Sequence, residues 1–363
     1  ICLTSVTIRH MSLSIGIVRL PNVGKSTLFN ALAGAGILAA NYPFATIEPN
    51  TALAAVPDPR LDKLSELYGG APIKPATVTF VDIAGLVKGA ADGEGLGNKF
   101  LANIRECNAV VHVVRAFTDP NVQHVDATAD PGRDIDVINT ELILADLATV
   151  DKHLPKLEKE SRANPKLRPE VELLQSIRAR LDSGQPAGQN VSGLQLLTAK
   201  PVIYLFNVDE SGLTDTALQA RLTDTVKPSP ALFVCAQLEA ELSALEPSES
   251  AELLESYGVQ ESGLIKLIHA AYDALGLQSY LTAGHKEVRA WTIPRGATAP
   301  EAAGVIHGDF ERGFIAADIV SYTDLLADGS LSAARSAGHV RLEGRGYVMQ
   351  PDDVVEFKFN VSR

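Results

Sequence analysis

The chain is 363 residues long, enough for two or three domains and a sizeable core. Its 32 Lys and Arg against 44 Asp and Glu leave a net charge of −12, which excludes a protein that coats nucleic acid through bulk charge but leaves room for a local basic face. No apolar stretch approaches the ~20 residues of a membrane helix, and Cys2, Cys107 and Cys235 lack metal-ligand spacing, so a reduced, cytoplasmic protein without a membrane partner is expected.

Residues 1–10 precede Met11 and lack the apolar core of a signal peptide; they read as a non-native upstream extension, with a short genuine arm as the competing reading. Leu13–Val18 is an apolar run that predicts a buried strand, and Leu28–Leu32 predicts the start of a helix. Between them stands Arg19-Leu20-Pro21-Asn22-Val23-Gly24-Lys25-Ser26-Thr27. Strand, tight loop, Gly-Lys-Ser and helix form the context of a phosphate-binding loop. The loop from Asn22 to Thr27 would present backbone N–H groups and a helix N-terminus to an anion. Lys25 adds a point charge for the β- and γ-phosphates, and Ser26 a hydroxyl for Mg²⁺. One position departs from G-x-x-x-x-G-K-[ST]: the first glycine, which lets backbone approach phosphate closely, is Arg19.

A Pro-broken loop over Asn41–Asn50 leads to a predicted strand, Thr51–Val56, and a helix over Leu61–Leu67. Thr77–Asp82 is a strand ending in a carboxylate, followed by a glycine-dense loop from Gly89 to Gly97 and a helix over Asn98–Glu106. Ala109–Arg115, apolar but for His112 and the closing Arg115, reads as a continuous strand of the kind a parallel sheet buried on both faces requires. Ile135–Leu157 and Glu170–Leu181 carry helical spacing and predict an inserted antiparallel hairpin, locally basic with 8 Lys/Arg against 6 Asp/Glu between Asp151 and Asp182. Strands resume at Pro201–Asn207 and Ala231–Ala236, and an amphipathic helix follows over Gly263–Leu275. Strands alternating with helices imply an α/β domain with a mostly parallel sheet and right-handed crossovers. Beyond Gln278, strands over Val288–Ile293, Phe314–Val320, Val340–Glu343, Tyr347–Met349 and Val354–Val361, with a short helix over Ala299–His307, suggest a small α+β domain with few helices.

The order of the remaining polar motifs strengthens the nucleotide reading. Asp82 and Gly85 form D-x-x-G, in which the carboxylate holds Mg²⁺ through water and the glycine N–H meets a γ-phosphate. Thr46, on the loop between, is placed to give Mg²⁺ a second hydroxyl. Asn207 and Glu210 make N-x-x-E after a strand, where GTPases carry N-K-x-D.

Leu20–Asn30, Asn41–Phe44, Ile47–Asn50, Val81–Ala90 and Gly93–Asn98 together resemble YchF, the ribosome-binding ATPase subgroup of the Obg-related GTPases, and Lys286–Pro294 resembles the opening of that family's C-terminal TGS domain. The resemblance implies a P-loop NTPase domain of the OBG type over 11–133 and 201–278, a helical coiled-coil hairpin over 134–200, and a ubiquitin-like β-grasp TGS domain over 279–363. It further implies a monomeric, Mg²⁺-dependent ATPase that contacts the ribosome, as large subunit or 70S, with rRNA or tRNA met through the hairpin and the TGS domain. Base choice has a physical side. The aspartate of N-K-x-D accepts from guanine N1–H and N2–H₂, donors that adenine lacks, and here Val208 and Glu210 replace the lysine and aspartate. Asn207 would bond the base or brace the loop, the Val208 backbone would meet adenine N6, and Phe117 would pack on the base or in the core. Leu86 stands where Ras-like enzymes carry the water-orienting glutamine, so His124, matching the family's proposed catalytic histidine, is the candidate to position water. Asn22 is a candidate ligand for K⁺ beside the phosphates. A GTP-specific enzyme and a ribosome- or RNA-binding scaffold whose nucleotide site is impaired by Arg19 are the alternatives.

Overall fold

The computed structural model describes residues 13–21, 23–35, 50–83, 96–117, 130–191 and 193–360. In chain order its elements are β1 (Ser14–Arg19), α1 (Lys25–Ala35), β2 (Thr51–Ala55), α2 (Pro59–Leu67), β3 (Ile73–Lys74), β4 (Thr77–Asp82), α3 (Leu96–Glu106), β5 (Ala109–Arg115), α4 (Pro131–Ala163) and α5 (Arg168–Asp182). There follow β6 (Val202–Asn207), α6 (Thr216–Val226), β7 (Ala231–Val234), α7 (Ala236–Leu242), α8 (Pro247–Ser256) and α9 (Gly263–Ala274). The chain ends with β8 (Leu277–Ala283), β9 (Val288–Pro294), α10 (Ala299–Ile306), α11 (Gly308–Arg312), β10 (Phe314–Ser321), α12 (Tyr322–Asp328), α13 (Leu331–Ala337), β11 (Arg341–Glu343) and β12 (Asp353–Phe359). The described residues fall into two compact units, 13–35, 50–52 and 79–271 in the first, and 53–78 and 272–360 in the second.

The first unit is built on a six-stranded sheet in the order β2-β4-β1-β5-β6-β7. The β1/β4, β1/β5, β5/β6 and β6/β7 pairs are parallel. All seven residues of β5 are buried, the consequence of helices covering both faces of a parallel sheet. Val18, Ile83 and Val110 pack against Phe100, Ile104, Ile138 and Leu142 from α3 and α4, while Tyr204 and Phe206 pack with Leu222 and Val226 from α6. His112 sits inside β5 against Tyr204, and burial pulls its imidazole down to a pKa of about 3, so it is a neutral core residue, as its apolar neighbours in the sequence suggest.

Asp130 caps α4, with Pro131 at its first turn, and the helix then runs through Pro155 to Ala163. Its N-terminal part lies on the sheet; beyond it, Val150, Leu154 and Leu157 pack against Leu174, Ile177 and Leu181 of α5, giving the expected hairpin. The base of the hairpin is clasped by Asp146, 1% exposed, which accepts from Leu197 N (2.8 Å), Thr198 N (2.8 Å) and Thr198 Oγ1 (2.7 Å). Burial raises the Asp146 pKa, opposed by these hydrogen bonds.

The second unit holds a mixed sheet in the order β11-β10-β12-β8-β9-β3. An antiparallel β8/β9 hairpin, a helix, and a last strand, β12, parallel to β8 and antiparallel to β10, give the β-grasp arrangement. Tyr280, Ile293, Ile319 and Val355 form its core with Ala299, Ala302 and Ala303 of α10. Residues 53–78 depart from the expected boundaries: β3 pairs with β9, and Arg60 at the start of α2 donates to Pro351 O (2.7 Å) and Asp352 Oδ1 (2.9 Å). The second unit also begins ahead of residue 279, at Tyr272, whose hydroxyl bonds Ser279 and Thr292. Two further expectations are corrected. Tyr347–Met349 is not a strand but a loop joined to Thr298 by one bridge at Val348, and the segment holds four helices, α10 to α13, rather than one.

Asp146→Ala would leave three donors facing apolar surroundings, so it is expected to lower stability by about 3 kcal/mol in urea unfolding, against a fraction of that for an exposed carboxylate such as Glu172.

Candidate nucleotide site

The site is organised by the C-terminal ends of β1, β4, β5 and β6, where an open parallel sheet places its ligand crevice. β1 delivers the chain into the loop, Gly24 takes a left-handed φ of +87°, and α1 begins at Lys25, with Leu28 N donating to Gly24 O at 3.2 Å. Gly24 is fixed twice over: its φ disfavours any side chain, and a Cβ there would overlap Asn207 Nδ2. Val23 is buried and Thr27 exposed.

Asn207, the last residue of β6 and 4% exposed, uses both ends of its amide. Nδ2 donates to Val23 O at 2.9 Å and Oδ1 accepts from Ala236 N at 3.0 Å, which ties the phosphate loop to the first turn of α7. Of the two roles read from the sequence, bracing is the one these hydrogen bonds make. Glu239 continues the tie: buried in α7, it accepts from Gly263 N (2.7 Å) and Ser262 Oγ (2.5 Å) at the start of α9, and burial raises its pKa.

Val208 is buried, packs with Phe206 and Leu222, and commits its N–H to Val234 O at 2.8 Å. Its carbonyl is therefore the group left for adenine N6–H₂, which needs an acceptor. Glu210 is exposed and lies close enough to raise the Tyr257 hydroxyl and, second to burial, the Cys235 thiol. Tyr257 packs on Cys235, Leu238 and Leu242, a neighbour that sequence reading missed because it caps the end of α8, far along the chain. Phe117 is half-buried; Arg115 donates to its carbonyl at 3.2 Å and sits 4.5 Å from its ring centroid. The ring lines an open 340 Å³ cavity with Ala116, Asp130, Leu218, Arg221 and Leu222.

Asp82 ends β4, its N–H bonded to Asn50 O at 2.8 Å, and stands one strand from the residue pair that opens the loop. Arg19 is half-buried; burial lowers its pKa and the Asp82 charge opposes that shift. Asn22, Thr46, Gly85, Leu86 and His124 lie outside the described residues, and Lys25 and Ser26 are described as the backbone of the first turn of α1. No group of three His, Cys, Asp or Glu among the described residues is placed to hold a metal alone. The donor set expected for Mg²⁺, two hydroxyls and one carboxylate completed by phosphate oxygens, is of the hard-oxygen kind that ion takes. The left-handed turn at Gly24 into the N-terminus of α1 is the backbone shape that receives a phosphate.

The sheet order, the left-handed Gly24 and the braced loop define a P-loop nucleotide hydrolase with the GTPase fold. Residues 14–144 match the 50S ribosome-binding GTPase model, and residues 277–360 match the YchF-GTPase C-terminal model, described as a protein of unknown function (DUF933). The ribosome-binding ATPase YchF of Bacillus subtilis is 49% identical over 97% of this chain and all of its own length, and that of Escherichia coli O157:H7 47% identical over the same shares. The solved YchF GTPase of Schizosaccharomyces pombe superposes with a TM-score of 0.85 at 39% identity, covering 96% of this chain and 98% of its own. A GTP binding protein from Pyrococcus horikoshii shares the fold, with a TM-score of 0.60 at 20% identity. The chain belongs to the YchF family.

Asn207→Ala removes a donor and an acceptor from buried backbone partners and is expected to cost about 2 kcal/mol in chemical unfolding. Gly24→Ala, blocked by φ and by overlap, is expected to weaken nucleotide binding by at least about tenfold in calorimetry.

Proposed function

We propose that the chain is a Mg²⁺-dependent ATPase whose nucleotide state tunes contact with the ribosome. The observation that carries the reading is the Asn207 brace, which joins the phosphate loop to the base-side segments around Ala236 and so builds one site for a whole nucleotide. The relatives named as ribosome-binding ATPases supply the activity and partner.

In this reading Lys25 and the N–H groups from Asn22 to Thr27 hold the phosphates, and Ser26, Thr46 and Asp82 hold Mg²⁺. The metal when bound offsets the charge of the phosphoryl oxygens. Gly85 N–H meets the γ-phosphate, His124 orients the attacking water in place of the missing glutamine, and Asn22 supports a K⁺ ion. ATP is preferred because adenine lacks the N1–H and N2–H₂ donors that the aspartate of N-K-x-D accepts, and Glu210, which replaces that aspartate, stands near Cys235 and Tyr257. Phe117 packs beside the base from its place near Arg115.

For the ribosome, the hairpin offers the contact. Lys152, Lys156, Lys159, Arg162, Lys166 and Arg168 are all exposed around its tip, a basic patch on an acidic protein suited to rRNA phosphates. The β-grasp unit is a second contact for rRNA or tRNA. A monomer working in the cytoplasm fits these roles; no helix among the described residues is long and apolar enough to cross a membrane. The scaffold alternative has one specific observation in its favour, the half-buried Arg19 at the head of the loop.

Competition calorimetry with Mg²⁺ is expected to give tighter binding of ATP than of GTP, and the reverse order would make the chain a GTPase. Hydrolysis is expected to run faster in K⁺ than in Na⁺, and equal rates remove the Asn22 site. Reversing Lys156, Lys159 and Arg162 to Glu is expected to reduce co-sedimentation with ribosomes at physiological salt while leaving ATP hydrolysis unchanged. Ribosome binding without measurable phosphate release would support the scaffold instead.

A further inference from the structure

Resting on the nucleotide reading above, we propose that Arg19 sets how strongly Mg²⁺ and nucleotide binding are coupled in this chain, its guanidinium sharing the field of Asp82 with the metal. The register carries the geometry. β1 and β4 run parallel with Ile17 opposite Asp82, and β1 and β5 run parallel with Arg19 opposite Val113. Opposed residues of neighbouring strands project to one face, as do residues two apart on one strand, so Ile17, Arg19 and Asp82 share a face. Strand spacing and rise put the Arg19 and Asp82 backbones roughly 8 Å apart, within reach of an extended arginine.

The position is crowded and partly dry. Nη1 of Arg19 donates to Leu20 O at 3.3 Å, and Nε is buried with no hydrogen-bond partner among the described residues. A guanidinium stays charged at any working pH, so a half-desolvated one needs a nearby counter-charge, and Asp82 is the carboxylate whose field it feels. The same carboxylate is the one that would attract a hydrated divalent cation.

Two cations drawing on one carboxylate attract it less than either would alone. With the guanidinium in place, Mg²⁺ gains less at the site. By reciprocity it then strengthens nucleotide binding by a smaller factor. The positive charge of Arg19 is meanwhile present for a polyanion whether or not metal is bound. The substitution that breaks the loop consensus thus makes nucleotide binding less dependent on divalent cation, where a glycine would leave the whole Asp82 charge to the metal.

The test is calorimetric ATP affinity, with Mg²⁺ and with EDTA, for the full chain and for Arg19→Gly, Arg19→Met and Arg19→Lys, each checked for folding by thermal melting. The quantity read is the ratio of affinities with and without metal. It is expected to be about tenfold larger in Arg19→Gly and Arg19→Met than in the native chain, and unchanged in Arg19→Lys, which keeps the charge. One ratio shared by all four proteins overturns the proposal. So does Arg19→Met matching the native chain while Arg19→Gly differs, because bulk and not charge would then be responsible. If neither the native chain nor Arg19→Gly takes up ATP at millimolar concentration in either condition, the nucleotide reading fails and takes this inference with it.

Discussion

The first unit depends on one side-chain amide. Asn207 ends a central strand, is almost fully buried, and spends its donor on the Val23 carbonyl and its acceptor on the Ala236 N–H. A phosphate loop must keep its N–H groups turned toward an anion, so its carbonyls need partners elsewhere. A hydrogen bond to one of them from the sheet fixes the loop before any ligand arrives. Because Oδ1 of the same amide holds the start of α7, the phosphate side and the base side share a single anchor. Glu239 extends that anchoring to α9 through Ser262 and Gly263.

Carboxylates do similar work elsewhere. Asp146 gathers the return of the hairpin by accepting three hydrogen bonds. Asp58 caps α2 and orients Arg60, whose guanidinium reaches the loop before β12. Asp146 thus satisfies backbone N–H groups of an irregular return segment, while Asp58 caps the first turn of α2 and holds the guanidinium that donates to the Pro351 carbonyl. Apolar packing forms the layers, and these clasps decide where the connecting chain is held.

Much of this was legible in the sequence. The β5 run Ala109–Arg115 is apolar at every step but His112 and Arg115, and it is the fully buried strand that pattern predicts. The loop motif and the two hairpin helices follow from spacing alone. Boundaries were harder. The helical spacing read over Ile135–Leu157 falls short of α4 at both ends, and the helix carries on past Pro155 because side chains on both sides of it pack against α5 and hold it together across the missing N–H. β8 was missed because α9 passes into it through Leu275 and Gly276 alone, the glycine at φ +65°, leaving no loop to mark the change. The short helices α12 and α13 carried a signal that was not used: each starts after a capping serine, Ser321 and Ser330, and stops at a left-handed glycine, Gly329 and Gly338. The placing of residues 53–78 had no local signal, since β3 is two residues long and is defined by its partner.

That last pairing has a bearing on how the protein is made. β3 and α2 leave the ribosome early, while β9, β12 and the loop that receives Arg60 are synthesised near the end of the chain. The β-grasp unit cannot close until translation is almost finished, and until then Leu61 and Leu64, buried in the finished fold, have nothing permanent to pack on. A nascent chain of this kind keeps residues 53–78 unfinished while the first unit folds, and a fragment cut before the last strands would carry an orphaned helix with an exposed greasy stripe.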